Sequence, residues 1–243
     1  DNRTDYHGHS SSRYTINVAG VGHTGVRASY SDMGASLFVS GYTGDTAEGG
    51  GDYGISTTGI GGAYPTDFNG TSAAAPVVSG VLALVLEANP SLTWRDVQHV
   101  VVNSARQTDI FNPSWFTNGA GHLFSHEYGF GVMDALRAVV TAQNWQNVGP
   151  EMAISIAAEI EDPIAIPDNG TPPAGSSNQL GYVSSTVNVG QCLNTESVEL
   201  ILTAPHEDWS DLTIKLISPS GTEAIFAEKH DAVADGTQYQ DWV

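Results

Sequence analysis

The chain has 243 residues, 40% of them hydrophobic, and 27 acidic residues against 8 Lys plus Arg give a formal net charge of −19. This length suits one large domain or two medium ones. The negative charge argues against nucleic-acid binding, which needs basic patches, and no continuous apolar run reaches the transmembrane length of about 18 residues. A single cysteine, Cys192, excludes an intramolecular disulfide and is expected to be a small buried strand residue.

The first part of the chain predicts strands that are followed by a helix. Residues 14–21 and 36–41 are short apolar segments flanked by Gly and Ser, which is typical of strands. Residues 43–70 are rich in Gly, Thr and Ser and predict long surface loops. An apolar helix is expected from about residue 72 to residue 88, and because it is apolar on most sides we expect it to be buried.

A second helix is predicted to begin at Thr93. Thr93 and Asp96 have the spacing of a capping box, in which each side chain satisfies the other residue's backbone N–H. Val97, Val100 and Val101 follow at helical spacing and are expected to form its buried face.

A third helix is predicted after Asp134, with Leu136, Val139 and Val140 as its apolar stripe. Strands followed by amphipathic helices predict an α/β layered structure for this half.

The composition changes near Gly149, and no helix is predicted beyond it. Residues 167–179 have the composition of a linker or long loop. Three strands are expected at 185–190, 197–204 and 211–218, with a turn at 219–221. We therefore predict two domains, residues 1–149 and residues 150–243, the second an antiparallel β-sandwich.

The segment GTSAAAP, residues 70–76, has the chemistry that a nucleophile needs. A serine at a helix start lies beside free backbone N–H groups and the positive end of the helix dipole. Small alanines after it would let a substrate backbone approach. By local physics alone a second interpretation stays open, in which Thr71 or Ser72 is an ordinary helix N-cap.

The same segment resembles the nucleophile motif of the subtilisin-like serine proteases. Residues 82–105 and 125–135 resemble the kexin/furin branch, the proprotein convertases, and residues 211–222 resemble the P domain that follows the protease domain there. The resemblance implies the C-terminal portion of a subtilisin-like parallel-sheet α/β domain over residues 1–149. It implies a truncated, all-β, sandwich-like P domain over residues 150–243.

The resemblance assigns the nucleophile to Ser72. It implies a protein-processing endopeptidase that forms an acyl-enzyme on Ser72, with a triad Asp, a triad His and an oxyanion Asn that have no match in this sequence. His7 is excluded as the triad histidine because only 65 positions separate it from Ser72, far fewer than the family places between these two residues. His99 and His126 match no catalytic motif and are expected to be surface or structural residues. The chain alone is therefore expected to be inactive, as a piece cut from a longer protein.

Calcium is the cofactor that the resemblance implies. Asp32 falls where the family has a ligating carboxylate, and Asp1, with Asp5 as a weaker candidate, falls near another. Clustered carboxylates suit a hard cation. The implied partner is a protein or peptide substrate, and the implied location is secreted or extracellular.

Two positions depart from the family pattern. His7 stands where the family has an acidic residue that selects basic substrates, so the resemblance does not extend to cleavage after Lys or Arg. Gly34 stands where the eukaryotic branch has a cysteine, which favours a bacterial secreted relative over a secretory-pathway convertase.

Two other functions compete with the peptidase. A non-catalytic β-sandwich adhesion or folding module could be attached to a degenerate protease domain, although the intact GTSAAAP motif argues against degeneracy. An α/β-hydrolase esterase is disfavoured because its nucleophile elbow requires G-x-S-x-G, and alanine follows Ser72.

Overall fold

The computed structural model describes residues 3–6, 8–45, 53–157, 166, 182–206, 209–229 and 238–242. These residues separate into two compact units. The first unit holds the described residues up to 148 and those from 210 to 229, and the second holds the described residues from 149 to 209 and 238–242.

The described helices and strands confirm an α/β class for the first half. In chain order they are β1 (Asn17–Val21), β2 (Leu37–Tyr42), α1 (Thr71–Ala88), α2 (Trp94–Ser104), β3 (Phe116–Thr117), β4 (Leu123–Phe124), α3 (Ala135–Gln143), β5 (Leu202–Pro205), β6 (Ile214–Ile217), β7 (Glu223–Ala227) and β8 (Gln238–Trp242). Strands β1 and β2 are parallel, whereas β3–β4, β5–β8 and β6–β7 are antiparallel pairs.

Helix α1 packs onto the β1–β2 pair through glycine positions on both strands. A methyl group added at Gly41 would lie 2.7 Å from the Ala74 carbonyl oxygen, and one added at Gly20 would lie 3.6 Å from the Thr71 methyl. A carbon atom cannot approach a carbonyl oxygen to 2.7 Å without a shift of the backbone. The absent side chain of Gly41 therefore lets the helix backbone lie directly on the strand.

Helix α1 buries one face rather than its whole circumference. Ala73, Ala74, Val78 and Val85 are buried, but several large apolar side chains on the other sides are exposed. These are Val77, Leu84 and Leu86. The expectation of a fully buried helix is therefore wrong for this chain, because within the described residues β1, β2 and α3 together cover only part of its circumference. By length and composition alone, α1 is also long and apolar enough to cross a membrane.

Helix α2 confirms the predicted capping box. The Thr93 hydroxyl accepts from the Asp96 N–H, and the Asp96 carboxylate accepts from the Thr93 N–H at 2.8 Å. The predicted apolar face is also confirmed, since Val97, Val100 and Val101 are buried.

Asp96 also accepts hydrogen bonds from residues outside its own helix. Its carboxylate receives the Trp145 indole N–H at 3.0 Å and the Val148 N–H at 2.7 Å. Burial acts to raise the pKa of Asp96, but these bonds and those from Thr93 outweigh it, so the pKa lies below the ordinary value of 3.8. The charged carboxylate thus joins α2 to the segment that follows α3.

Helix α3 begins as predicted, but it packs with a different face. Asp134 caps it by accepting from the Arg137 N–H at 3.0 Å. The buried residues are Ala138 and Ala142, whereas Leu136, in the predicted stripe, is 75% exposed. The two alanines lie in one core cluster with residues of α1 and α2, where small side chains let the helices approach closely.

The strands of the second half do not all lie where the sequence predicts them. The described residues place no strand at 185–190, and within 197–204 a strand begins only at Leu202. Cys192 is exposed and lies outside any strand, which corrects the expectation of a buried strand cysteine. Most of residues 182–201 are exposed. Within the described part of the chain, the alternating apolar side chains of this segment therefore do not pack against a second layer. The predicted β-sandwich stays a prediction.

The β6–β7 hairpin agrees with the sequence. Leu212 is buried, and burial alternates along β6 as the period of a half-buried strand requires. The turn is closed by the Thr222 carbonyl, which accepts from the Ser218 N–H at 2.9 Å, and by Gly221 at φ 84°.

A buried arginine holds this hairpin within the first unit. The Arg3 guanidinium donates to Asp5 at 3.0 Å, to Glu228 at 2.6 Å and to the Ile225 carbonyl at 2.8 Å. Asp5 in turn accepts from the N–H groups of Ala35 and Ser36, just before β2. This ion-pair network therefore connects the end of β7 to the start of β2.

The approach of α1 to β2 predicts opposite effects for two glycine-to-alanine substitutions. Gly41→Ala places a methyl group 2.7 Å from a backbone oxygen and should lower the free energy of unfolding by about 1–3 kcal/mol. Gly80→Ala is the control, because Gly80 lies within α1 with open space around it and the change should stabilise the helix by up to about 1 kcal/mol. Chemical denaturation measures both. If both substitutions changed the free energy of unfolding equally, the close packing of α1 on Gly41 would be contradicted.

The hydrogen bonds to Asp96 predict a pH-dependent contribution to stability. Its pKa is lower in the folded than in the unfolded state, so its stabilisation is present above the unfolded value and is lost as pH falls through the folded value. Asp96→Asn should therefore lower stability by about 1–3 kcal/mol at neutral pH, and the difference from wild type should shrink below about pH 4.

Asp134→Asn is the matched control, because asparagine caps a helix about as well as aspartate. Melting temperatures of both variants across the acid range provide the measurement. A loss in Asp96→Asn that does not change with pH would show that the charge of Asp96 does not contribute.

Candidate active site

Helix α1 begins at a glycine with an unusual backbone conformation. Gly70 is the N-cap residue, at φ 85° and ψ 165°, and no side chain caps the helix. Its carbonyl accepts from the Ala73 N–H at 2.9 Å and the Ala74 N–H at 3.4 Å. A positive φ costs glycine little and is strained for other residues. The N-cap interpretation of Thr71 and Ser72 is therefore wrong, since both lie inside the helix.

Ser72 is the second residue of α1 and is exposed. Within the part of the chain that the structure describes, its hydroxyl makes no hydrogen bond. Its N–H is one of the first helical donors, which have no acceptor within the helix. The site thus combines an accessible hydroxyl with free N–H groups and the positive end of a helix dipole. That arrangement stabilises negative charge that develops on an oxygen bound there.

Two side chains hold the Gly70 backbone from both sides. The Tyr30 hydroxyl accepts from the Gly70 N–H at 2.9 Å, and the Thr43 hydroxyl donates to the Gly70 carbonyl at 2.8 Å. Tyr30 also donates to the Gly44 carbonyl. We call Tyr30 and Thr43 the Gly70 clamp. No sequence pattern indicates either residue, because each precedes Gly70 by more than 25 positions in segments with no periodic pattern.

The described histidines that sequence analysis considered are engaged elsewhere. Burial, helped by the positive charge of Arg3, lowers the pKa of His126, so its ring is neutral and its Nε2 accepts from the Ile225 N–H at 3.3 Å. His99 stacks on Trp145 with ring centroids 5.8 Å apart. These contacts give both histidines a structural role, and His7 lies outside the described residues.

The carboxylates predicted to bind calcium differ in their surroundings. Asp32 is partly buried and makes no hydrogen bond or ion pair within the described residues. The Asp5 carboxylate is already occupied by Arg3 and two backbone N–H groups. Asp1 lies outside the described residues. Among the residues described, no three His, Cys, Asp or Glu side chains form a metal-binding group. Calcium takes six to eight oxygen ligands, so Asp32 offers one ligand of an incomplete set.

The structural role of Asp5 explains the glycine at position 34. A methyl group added there would lie 2.3 Å from the Thr4 hydroxyl oxygen and 2.4 Å from an Asp5 carboxylate oxygen. A cysteine therefore cannot occupy position 34 while Asp5 keeps its bonds to the N–H groups of Ala35 and Ser36.

The fold and site define an α/β protein with an exposed serine at the start of a helix that packs on parallel strands. The model of the subtilase family matches residues 1–131, and the chain therefore belongs to that family.

Two relatives align with nearly the whole chain. It is 34% identical to furin of Rattus norvegicus over 242 residues, 97% of this chain and 28% of furin. It is 33% identical to PC3-like endoprotease variant B of Hydra vulgaris over 94% of this chain and 32% of that protein. The chain thus spans about a third or less of the length of these relatives.

A solved structure shows the same fold. The Aeromonas sobria serine protease, in complex with its chaperone, superposes with a TM-score of 0.72 and 25% identity, covering 93% of this chain and 44% of the protease. The predicted subtilisin-like fold is thereby confirmed.

Proposed function

We propose that a longer protein containing this chain is a serine endopeptidase of the kexin/furin type, in which Ser72 is the nucleophile. The observation that carries the proposal is the exposed Ser72 hydroxyl at the start of α1, without a competing hydrogen bond in the described residues. Relatives named furin and PC3-like endoprotease support the same reaction class.

The proposed reaction begins with attack of the Ser72 oxygen on the carbonyl carbon of a peptide bond. The hydroxyl proton passes to a general base supplied from outside the described residues. The N–H of Ser72 and the helix dipole stabilise the oxyanion of the tetrahedral intermediate. The C–N bond then breaks, the amine leaves with a proton, and water hydrolyses the acyl-enzyme to restore Ser72.

The family resemblance further supports a secreted protein that uses calcium. In this proposal the partly buried Asp32 carboxylate provides one oxygen ligand, and other ligands come from outside the described residues. Residues 150–243 act as a P domain. The substrate is a protein or peptide, in agreement with the endoprotease relatives.

Replacing Ser72 tests the proposed nucleophile. Ser72→Ala in the complete protein should lower turnover of a peptide substrate on the order of 10⁶-fold, the loss that removal of the nucleophile causes in subtilisin. Ser79→Ala is the control, because Ser79 lies on the same helix and its hydroxyl donates to the Ala75 carbonyl at 2.9 Å. Wild-type turnover by the Ser72 variant would refute the assignment.

Calcium titration tests the role of Asp32. Calcium should raise the melting temperature of the complete protein. At a calcium concentration a hundred times Kd, binding should add about 2.7 kcal/mol to the free energy of unfolding. Asp32→Asn should weaken this response, whereas Asp67→Asn, at an exposed loop position, should preserve it. If Asp32→Asn and wild type respond alike, Asp32 is not a ligand.

A further inference from the structure

We propose that Tyr30 is a positioning residue for Ser72 and that it acts with Thr43 through the Gly70 backbone. The inference rests on the proposed function, since it concerns the placement of the nucleophile named there. Tyr30 precedes Ser72 by 42 positions, and its hydroxyl bonds the residue from which α1 starts.

Each hydroxyl of the Gly70 clamp has one proton, and this determines which hydrogen bonds it donates and which it accepts. A tyrosine hydroxyl has one proton to donate and lone pairs to accept. Tyr30 donates to the Gly44 carbonyl and accepts from the Gly70 N–H at 2.9 Å. Thr43 uses its own proton on the Gly70 carbonyl at 2.8 Å. The Gly70 carbonyl is therefore bonded directly to Thr43, and the Gly70 N–H is linked to Gly44 through the Tyr30 hydroxyl. Thr43 and Gly44 directly follow β2.

Tyr30 is itself held by its two neighbours in sequence. Ser29 donates to the Asp45 carboxylate twice, from its N–H at 2.7 Å and from its hydroxyl at 3.1 Å. The Ser31 hydroxyl accepts from the Gly20 N–H of β1 at 3.0 Å. Asp45 and Ser31 are both buried. The backbone on either side of Tyr30 is thus anchored, so the hydroxyl is placed in advance and needs no rearrangement.

Gly70 is the residue at which a change of backbone conformation would move Ser72. A glycine at φ 85° has access to other backbone conformations, and the first turn of a helix is its least constrained part. Rotation at Gly70 would displace Ser72 relative to the ends of the strands. A displacement of about 1 Å at a reacting group can cost about a hundredfold in rate.

The clamp contributes to position more than to stability. Helix α1 is anchored farther along by Val78 and Val85, which lie in two core clusters. Tyr30 is 41% exposed, and the loss of its hydroxyl leaves those contacts intact. Tyr30→Phe should therefore change the rate of the chemical step while the protein keeps its fold.

The test uses Tyr30→Phe in the complete protein with a peptide substrate. We expect kcat to fall about tenfold, which corresponds to about 1.4 kcal/mol, with KM within about twofold of wild type and an unchanged melting temperature. Tyr64→Phe is the matched control, because Tyr64 is 78% exposed and makes no hydrogen bond within the described residues. Thr43→Val should lower kcat similarly, and Thr43→Ser, which keeps the hydroxyl, should restore it.

Amide hydrogen exchange at Gly70 provides a readout that does not depend on activity. Tyr30→Phe should speed this exchange because the Gly70 N–H loses its acceptor, and Tyr64→Phe should not. The inference would be overturned if Tyr30→Phe kept the wild-type kcat or the wild-type exchange rate at Gly70. It would also be overturned if the loss of kcat came with an equal loss of stability. Wild-type turnover by Ser72→Ala would instead refute the proposed function, so the failure of the proposed function can be distinguished from the failure of the role of Tyr30.

Discussion

The contact between helix α1 and the two parallel strands is the constraint on which the candidate site depends. Gly41 has no side chain, so the Ala74 carbonyl lies directly against β2, and Val78 continues the contact along the helix. Since Ser72 is two residues before Ala74, the height of the helix above the strands sets the height of Ser72. The serine is therefore placed by backbone packing in the core, with few contacts of its own.

A layer of hydrogen bonds refines what the packing sets. The Gly70 clamp fixes the start of α1 to the residues after β2, and Asp5 fixes the residues before β2 by accepting from Ala35 and Ser36. Arg3 neutralises Asp5 and extends the same network to Glu228 beyond β7. Both ends of β2 are thus held by polar side chains, which lets the glycine-containing strand support the helix.

Local signals predicted well, and long-range contacts did not. The Thr93–Asp96 capping box lies within four residues, so the sequence alone shows it. The assignment of Ser72 from the family motif at residues 70–76 stays a prediction. The packed face of α3 depends on how closely α1 and α2 approach, which selects Ala138 over the larger Leu136. The roles of Tyr30 and Thr43 depend on chain segments that meet only in the fold, so no periodicity could reveal them.

The proposed role of Ser72 is that of the reactive serine in a subtilase-family peptidase. The most direct measurement is treatment of the complete protein with a fluorophosphonate, followed by peptide mapping of the adduct. We expect one modified residue, Ser72, and loss of labelling after heat denaturation, because an activated serine needs its folded surroundings. Labelling at another serine, or no labelling of a protein that cleaves peptides, would contradict it.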